Sequence, residues 1–147
     1  MSTVFEMIIA GDIPGRFAWA DDKCAVFATI EPVQPGHMLV VPRVAYDKWT
    51  EVPAELFAHL GKVAQIVGQA QEMAFDAQRS TVVIAGFEVP HTHIHVIPAF
   101  SEADAQLSNA TKATDEELDQ AVTLLRGALT TMGHGQFVPP EMGSANS

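Results

Sequence analysis

The sequence predicts an α+β domain on a largely antiparallel sheet of about five strands, with one central and one C-terminal helix. Three observations lead there. Short apolar runs rich in β-compatible residues follow one another between Phe17 and Val41, separated by Asp, Pro and Gly. From Pro53 onward Leu56, Leu60, Val63, Ile66, Val67 and Ala70 recur at steps of three and four, the helical period. A second such series, Leu118, Val122, Leu125 and Leu129, follows Thr114 and Glu117, whose spacing is that of a capping box opening a helix.

Taken in order, Phe5 to Ala10 reads as a short amphipathic helical turn, stopped by the turn formers Gly11-Asp12-Ile13-Pro14-Gly15. Phe17 to Ala20 reads as a strand, Asp21-Asp22 as a hairpin turn, and Cys24 to Ile30 as the next strand, ended by Pro32, Pro35 and Gly36. His37 to Val41 is a third strand, closed by Pro42, so the three are expected to form a meander. A helix runs from Pro53, suited to its first turn, to about Phe75. Thr81 to Ala85 and His91 to Ile97 are two further strands, and the last helix starts near Thr114 with Gly133 at its end. The domain is expected to occupy residues 1–138, and the small, polar stretch 139–147 to be a flexible tail.

The composition narrows the function. With 147 residues, 48% hydrophobic and 18% charged, the chain fits one folded domain without room for a second. Eight Lys and Arg against 18 Asp and Glu give a net charge of −10, which opposes binding to a polyanionic nucleic acid. A small nucleotide is compatible, because a pocket of imidazoles and backbone N–H groups can hold one phosphate. The opening stretch lacks a basic segment and is broken by Glu6, so it does not resemble a secretory signal, and no run reaches membrane-spanning length; no membrane partner is expected. The single cysteine, Cys24, forms no internal disulfide and lacks the spacing of a structural zinc site, which fits a reducing cytoplasm.

His91-Thr92-His93-Ile94-His95 concentrates three of six histidines at alternate positions, which on a strand share one face. A metal site and solvated surface histidines are the alternative readings of such a row. Residues two apart on a strand are roughly 6.6 Å apart, so His91 and His95 would stand about 13 Å from each other. Zinc bonds to imidazole are only about 2.0–2.1 Å, so three-point chelation fits poorly and no metal or other cofactor is expected. A row of imidazoles suits an extended anion: a neutral ring is a nucleophile near neutral pH, and a protonated neighbour donates to phosphate oxygens.

His91 to Ile97, together with Gly36-His37-Met38-Leu39-Val40-Val41-Pro42, resembles the paired signature blocks of the histidine triad (HIT) family. Phe5 to Pro14 and Asp21-Asp22 resemble the start of its Hint-like branch, and the likeness covers roughly residues 4 to 98. The resemblance implies a HIT-like fold, two-fold dimers, and a purine nucleotide substrate attacked at its α-phosphate by His93 through a covalent nucleotidyl-histidine. It implies that His91 polarises the phosphate and supports the nucleophile's orientation, that His95 contacts a phosphate oxygen, and that His37 lies near the same phosphate. Phe5, Ile8, Phe27 and Ile30 match positions that line the base pocket, with plain core packing as the competing reading; His59 and His134 match no motif and read as ordinary surface or capping residues.

Two departures stand out. Thr29 occupies a position where Hint-like members carry an Asp that accepts the ribose hydroxyls, and a hydroxyl is the weaker acceptor. Glu88 stands where a neutral side chain is usual, and is expected near the departing group, able to attract a cationic amine or to donate to it. The leading expectation is a phosphoramidase; the alternatives are a dinucleoside polyphosphate hydrolase or nucleotidyl transferase on the same fold, and a nucleotide-binding module with little turnover.

Overall fold

The computed structural model describes residues 2–146; Met1 and Ser147, the outer ends of the expected domain and tail, lie outside the described residues. Helix α1 (Val4–Ala10) is opened by Thr3, whose hydroxyl accepts from the Glu6 N–H while Glu6 accepts from the Thr3 N–H. This capping box satisfies two donors that a seven-residue helix would otherwise expose. Strands β1 (Phe17–Ala20), β2 (Cys24–Ala28) and β3 (Met38–Pro42) form the expected meander, with Asp21 closing the first hairpin by accepting from the N–H groups of Lys23 and Cys24. Helix α2 (Ala54–Phe75) leads into β4 (Arg79–Val83), which pairs antiparallel with β5 (Ile94–Ala99). Because β5 also pairs with β3, the five-stranded order is β1-β2-β3-β5-β4, leaving β1 and β4 at the edges. Helix α3 (Asp115–Leu129) opens with the anticipated Thr114 and Glu117 box, and the chain kinks at Gly133, where φ is +95°.

The period of two along each strand divides the sheet into two faces. Cys24, Val26, Met38, Val40, Ile94 and Val96 point inward and are covered by Leu60, Val63 and Val67 of α2 and Val122, Leu125 and Leu129 of α3. Ala25, Phe27, Leu39 and Val41 point outward to Phe5 of α1 and to Ala145. Two expectations are corrected here. The triad strand begins only at Ile94, because Thr92 bonds through both its N–H and its hydroxyl to the Tyr46 carbonyl and so turns residues 91–93 off the sheet. The stretch after residue 138 is also packed as far as Ala145: Met142 accepts from the Phe17 N–H, Arg43 donates to the Ala145 carbonyl, and Ala145 is buried.

One helix side chain joins this framework to the site. Gln71 is fully buried, and its amide donates to the carbonyls of Gly36 and Val96 while accepting from the Ser80 hydroxyl. A buried amide without partners costs about 1–3 kcal/mol, so only this full set makes the position tolerable. It thereby fixes the backbone next to His37 and next to His95.

Gly36 sits at φ +90°, and a Cβ there would lie 2.2 Å from the Phe75 ring. Gly36→Ala is expected to lose about 2–4 kcal/mol of stability from combined strain and overpacking, measured by urea unfolding. Adding Phe75→Leu should recover only the steric part. Unchanged stability in Gly36→Ala would refute this account of the turn.

Candidate active site

His95 pairs in register with Leu39, so its ring stands on the outer face, and His37 precedes β3 with the same parity. His93 follows the bend at residues 91–93 and lies beside His95, the ring centroids 4.9 Å apart. These three rings form one wall of a cleft of about 260 Å³, whose other lining residues are Thr29, Glu31, Ala85, Gly86, Phe87, Glu88, Leu107 and Ala110.

The hydrogen bonds dictate which ring nitrogens carry protons, because backbone groups at the ends of the chain cannot change role. The Val33 N–H donates to His37 Nδ1 at 3.0 Å. The proton of neutral His37 is therefore on Nε2, which donates to His95 Nδ1 at 2.9 Å. His95 must then carry its own proton on Nε2, a nitrogen without a protein partner among the described residues. The same logic works from the other end: the His91 carbonyl can only accept, so His93 Nδ1 donates to it at 2.8 Å and Nε2 is left with a free lone pair. The cleft thus presents one nucleophilic nitrogen and, beside it, one N–H donor.

All four imidazoles are held below the ordinary histidine range. Burial, followed by the neighbouring His95 and His93, pushes His37 down to about 3, and burial with His93 pushes His95 to about 4. Burial also lowers His93 and His91, opposed at His93 by its bond to the His91 carbonyl and by the charge of Glu88. The expected protonated neighbour is corrected accordingly: the donor that His95 presents to the cleft is a neutral N–H.

His91 does not line the cleft, which corrects the expected phosphate contact. It is fully buried, donating from Nε2 to the Pro42 carbonyl at 2.7 Å while Nδ1 accepts from the Thr3 hydroxyl at 2.7 Å. With both nitrogens engaged it has none to offer a phosphate; it orients His93 through its carbonyl. Phe5 packs edge-on against the His93 ring at 4.8 Å and against Phe27 at 5.6 Å. Phe5, Phe27 and Ile8 belong to the outer-face cluster and Ile30 is 60% exposed, so none of these four lines the cleft, whereas Thr29 and Glu88 do.

The sequence reading missed Glu31, Phe87, Leu107, Ala110, Gln71 and Thr3. Two of them had a signal: Gln71 is an amide on the apolar stripe of α2, and Thr3-x-x-Glu6 is itself a capping-box pattern. His59 is not an ordinary surface residue, since its Nε2 donates to Asp21 Oδ2 at 2.8 Å. Among the described residues Asp21, Cys24 and His59 are the one trio able to bring three metal-ligating atoms within 4.8 Å. They are engaged with one another, Cys24 Sγ lying 3.6 Å from Asp21 Oδ2, which also accepts from the Trp19 indole N–H.

The HIT domain family model matches residues 10–102, and the chain belongs to the HIT family. An uncharacterized HIT-like protein of Methanocaldococcus jannaschii is 30% identical over 84% of this chain and 98% of its own. The purine nucleoside phosphoramidase of Escherichia coli is 32% identical over 65% of this chain and 85% of its own. Among solved structures, a zinc-bound histidine triad family protein from Mycobacterium smegmatis superimposes with TM-score 0.79 at 27% identity, covering 92% of this chain and 98% of that one. These relatives support hydrolysis of nucleotides as the general kind of function. Among the described residues no helix is long and apolar enough to cross a membrane.

The lowered imidazoles link folding to pH with a definite sign. Above the ordinary histidine pKa, near 6.5, neither the folded nor the unfolded chain protonates these rings; below it the unfolded chain takes protons that folded His37, held to about 3, refuses. Stability is therefore complete above about pH 6.5 and falls as the pH drops toward the folded value, by about 1.4 kcal/mol per pH unit for a fully buried ring such as His37. His95, open to the cleft, contributes less. Denaturant unfolding of the parent and His37→Asn between about pH 7.5 and about pH 5 should give a shallower loss in the variant; equal slopes would refute the assignment.

Proposed function

We propose that this protein is a nucleotide phosphoramidase, cleaving purine nucleoside phosphoramidates at the α-phosphate through a nucleotidyl-histidine on His93. The observation that carries the reading is the fixed tautomer of His93: Nδ1–H is held by the His91 carbonyl, so the lone pair on Nε2 is available at the cleft. In the first step that lone pair forms a bond to phosphorus as the phosphorus–nitrogen bond breaks, and the amine departs with a proton taken from solvent. The ring becomes positively charged, and the His91 carbonyl and the negative charge of Glu88 both favour that state. The His95 Nε2–H donates to a phosphate oxygen, with His37 and the Val33 N–H behind it keeping the proton on that side. In the second step water attacks phosphorus, loses a proton to solvent and releases the nucleoside monophosphate and His93. Phe5 contributes by packing on the reactive ring, and Thr29 stands on the cleft wall with its hydroxyl already accepting from the Glu31 N–H.

The working unit in this reading is a homodimer. It is supported by the edge strand β4, whose Val82 is 55% exposed, and by the groove that Val82, Ile84 and Ile94 form with α2. A cytoplasmic setting is supported by the free, buried Cys24. The acidic net charge of −10 argues for a small nucleotide over a nucleic acid as the ligand.

His93→Ala is expected to lower turnover of an adenosine phosphoramidate by at least about a thousandfold while changing nucleotide affinity little. Intact-mass measurement of a rapidly quenched reaction should show a nucleotidyl adduct on the parent and none on the variant. Loss of binding together with turnover would instead make His93 structural.

Turnover is also expected to withstand EDTA, since the histidine row is used in hydrogen bonds to backbone and to itself. Activity lost on chelation and restored only by added zinc would overturn this.

A further inference from the structure

The charged side chains of the cleft are all acidic. Glu31 and Glu88 both stand on its walls, and among the described residues lining it there is no lysine or arginine. Its three imidazoles are neutral donors or acceptors, because backbone groups and each other's nitrogens fix their roles. Neither carboxylate has a cationic partner among the described residues. Next to them the Phe87 side chain is 97% exposed, a ring with a free face in the same cleft. Two carboxylates and an uncovered aromatic ring attract an organic cation and repel a further anion.

We propose that Glu31 and Glu88 make the cleft select its substrate by charge: it takes nucleotides with one negative charge at the scissile phosphate and a cationic leaving amine, and rejects those whose leaving group is a phosphate. The inference rests on the hydrolase reading above and adds the class of leaving group. The nucleotidyl phosphate itself is tolerated because the free His95 Nε2–H donates to its oxygen while the His93 lone pair faces phosphorus. A second or third phosphate would extend past these donors along walls that carry only negative charge. Chemically the reaction stays the same: the phosphorus–nitrogen bond is exchanged for the bond to His93 Nε2, the amine gains a proton from solvent, and water then displaces the ring.

The test compares kcat/KM for three adenylyl substrates: the phosphoramidates of propylamine and of diaminopropane, which differ by one positive charge, and diadenosine tetraphosphate. The parent is expected to prefer the diamine over the monoamine by about tenfold and to turn over the tetraphosphate least, from Coulomb energies of partly solvated charges. Glu31→Gln with Glu88→Gln should bring the two amines within about twofold and raise the tetraphosphate relative to both; Glu31→Asp with Glu88→Asp should keep the parent's order. If the double Gln variant does not fold, raised salt applied to the parent should narrow the same ratio, since the cleft is open to screening. An unchanged ratio in the Gln variants or in salt, with turnover still dependent on His93, overturns charge selection and leaves the hydrolase reading standing. If the parent turns over none of the three, the hydrolase reading fails and the selection with it.

Discussion

Burial holds this group of imidazoles in their neutral form, and much at this site follows from that constraint. A neutral imidazole has one donor and one acceptor, so the question becomes which nitrogen is which. Here the answer is set by backbone groups that have no freedom: the Val33 N–H behind His37 and the His91 carbonyl behind His93. From these two anchors the polarity propagates inward and meets at the cleft as a lone pair beside an N–H. Had either anchor been a side chain able to rotate, the two rings could have presented two donors or two acceptors, and neither arrangement both attacks phosphorus and holds its oxygen.

Placing those anchors to within a hydrogen-bond length is a task for the sheet. β3 and β5 are adjacent because β4 is carried past β5 to the edge, which brings His37 beside His95 although 58 residues separate them. Their relative height is then held by Gln71, which reaches from α2 between the strands to the carbonyls of Gly36 and Val96. Only glycine fits at 36, where the Phe75 ring at the end of α2 packs on the turn. The inner face and the outer face that carries His37 and His95 are thus coupled through one helix, so packing on one side sets geometry on the other.

Much of this was legible in the sequence. The meander, both long helices and the Thr114 cap follow from hydrophobic period and turn chemistry, which are local, and the paired His37 and His91–His95 blocks pointed to the site. The errors came from long-range contacts. His91 and His93 belong by pattern to a strand, yet Thr92 is pulled away by the Tyr46 carbonyl, a partner 46 residues earlier that no local pattern marks. The tail looked free by composition, but Met142 and Ala145 find unpaired groups on Phe17 and Arg43. Leu107 and Ala110 reach the cleft from a segment of short 3-10 turns without periodicity, so nothing in the sequence assigned them to it.

The neutral site also resolves an apparent conflict with the protein's charge. An acidic surface repels a nucleotide at long range, and guanidinium or ammonium groups would be the usual remedy. They would also hold a departing phosphate as firmly as a bound one, and would favour any substrate in proportion to its negative charge. Directional N–H donors act over one hydrogen-bond length, so they recognise one phosphate group in one orientation and contribute nothing beyond it. If attraction is confined to the scissile phosphate, as the proposed reaction requires, whatever lies further along the substrate meets the remaining walls, which carry Phe87, Glu31 and Glu88. In the proposed reaction burial keeps the imidazoles neutral, and the absence of cations from the walls leaves the leaving group to be judged by its own charge.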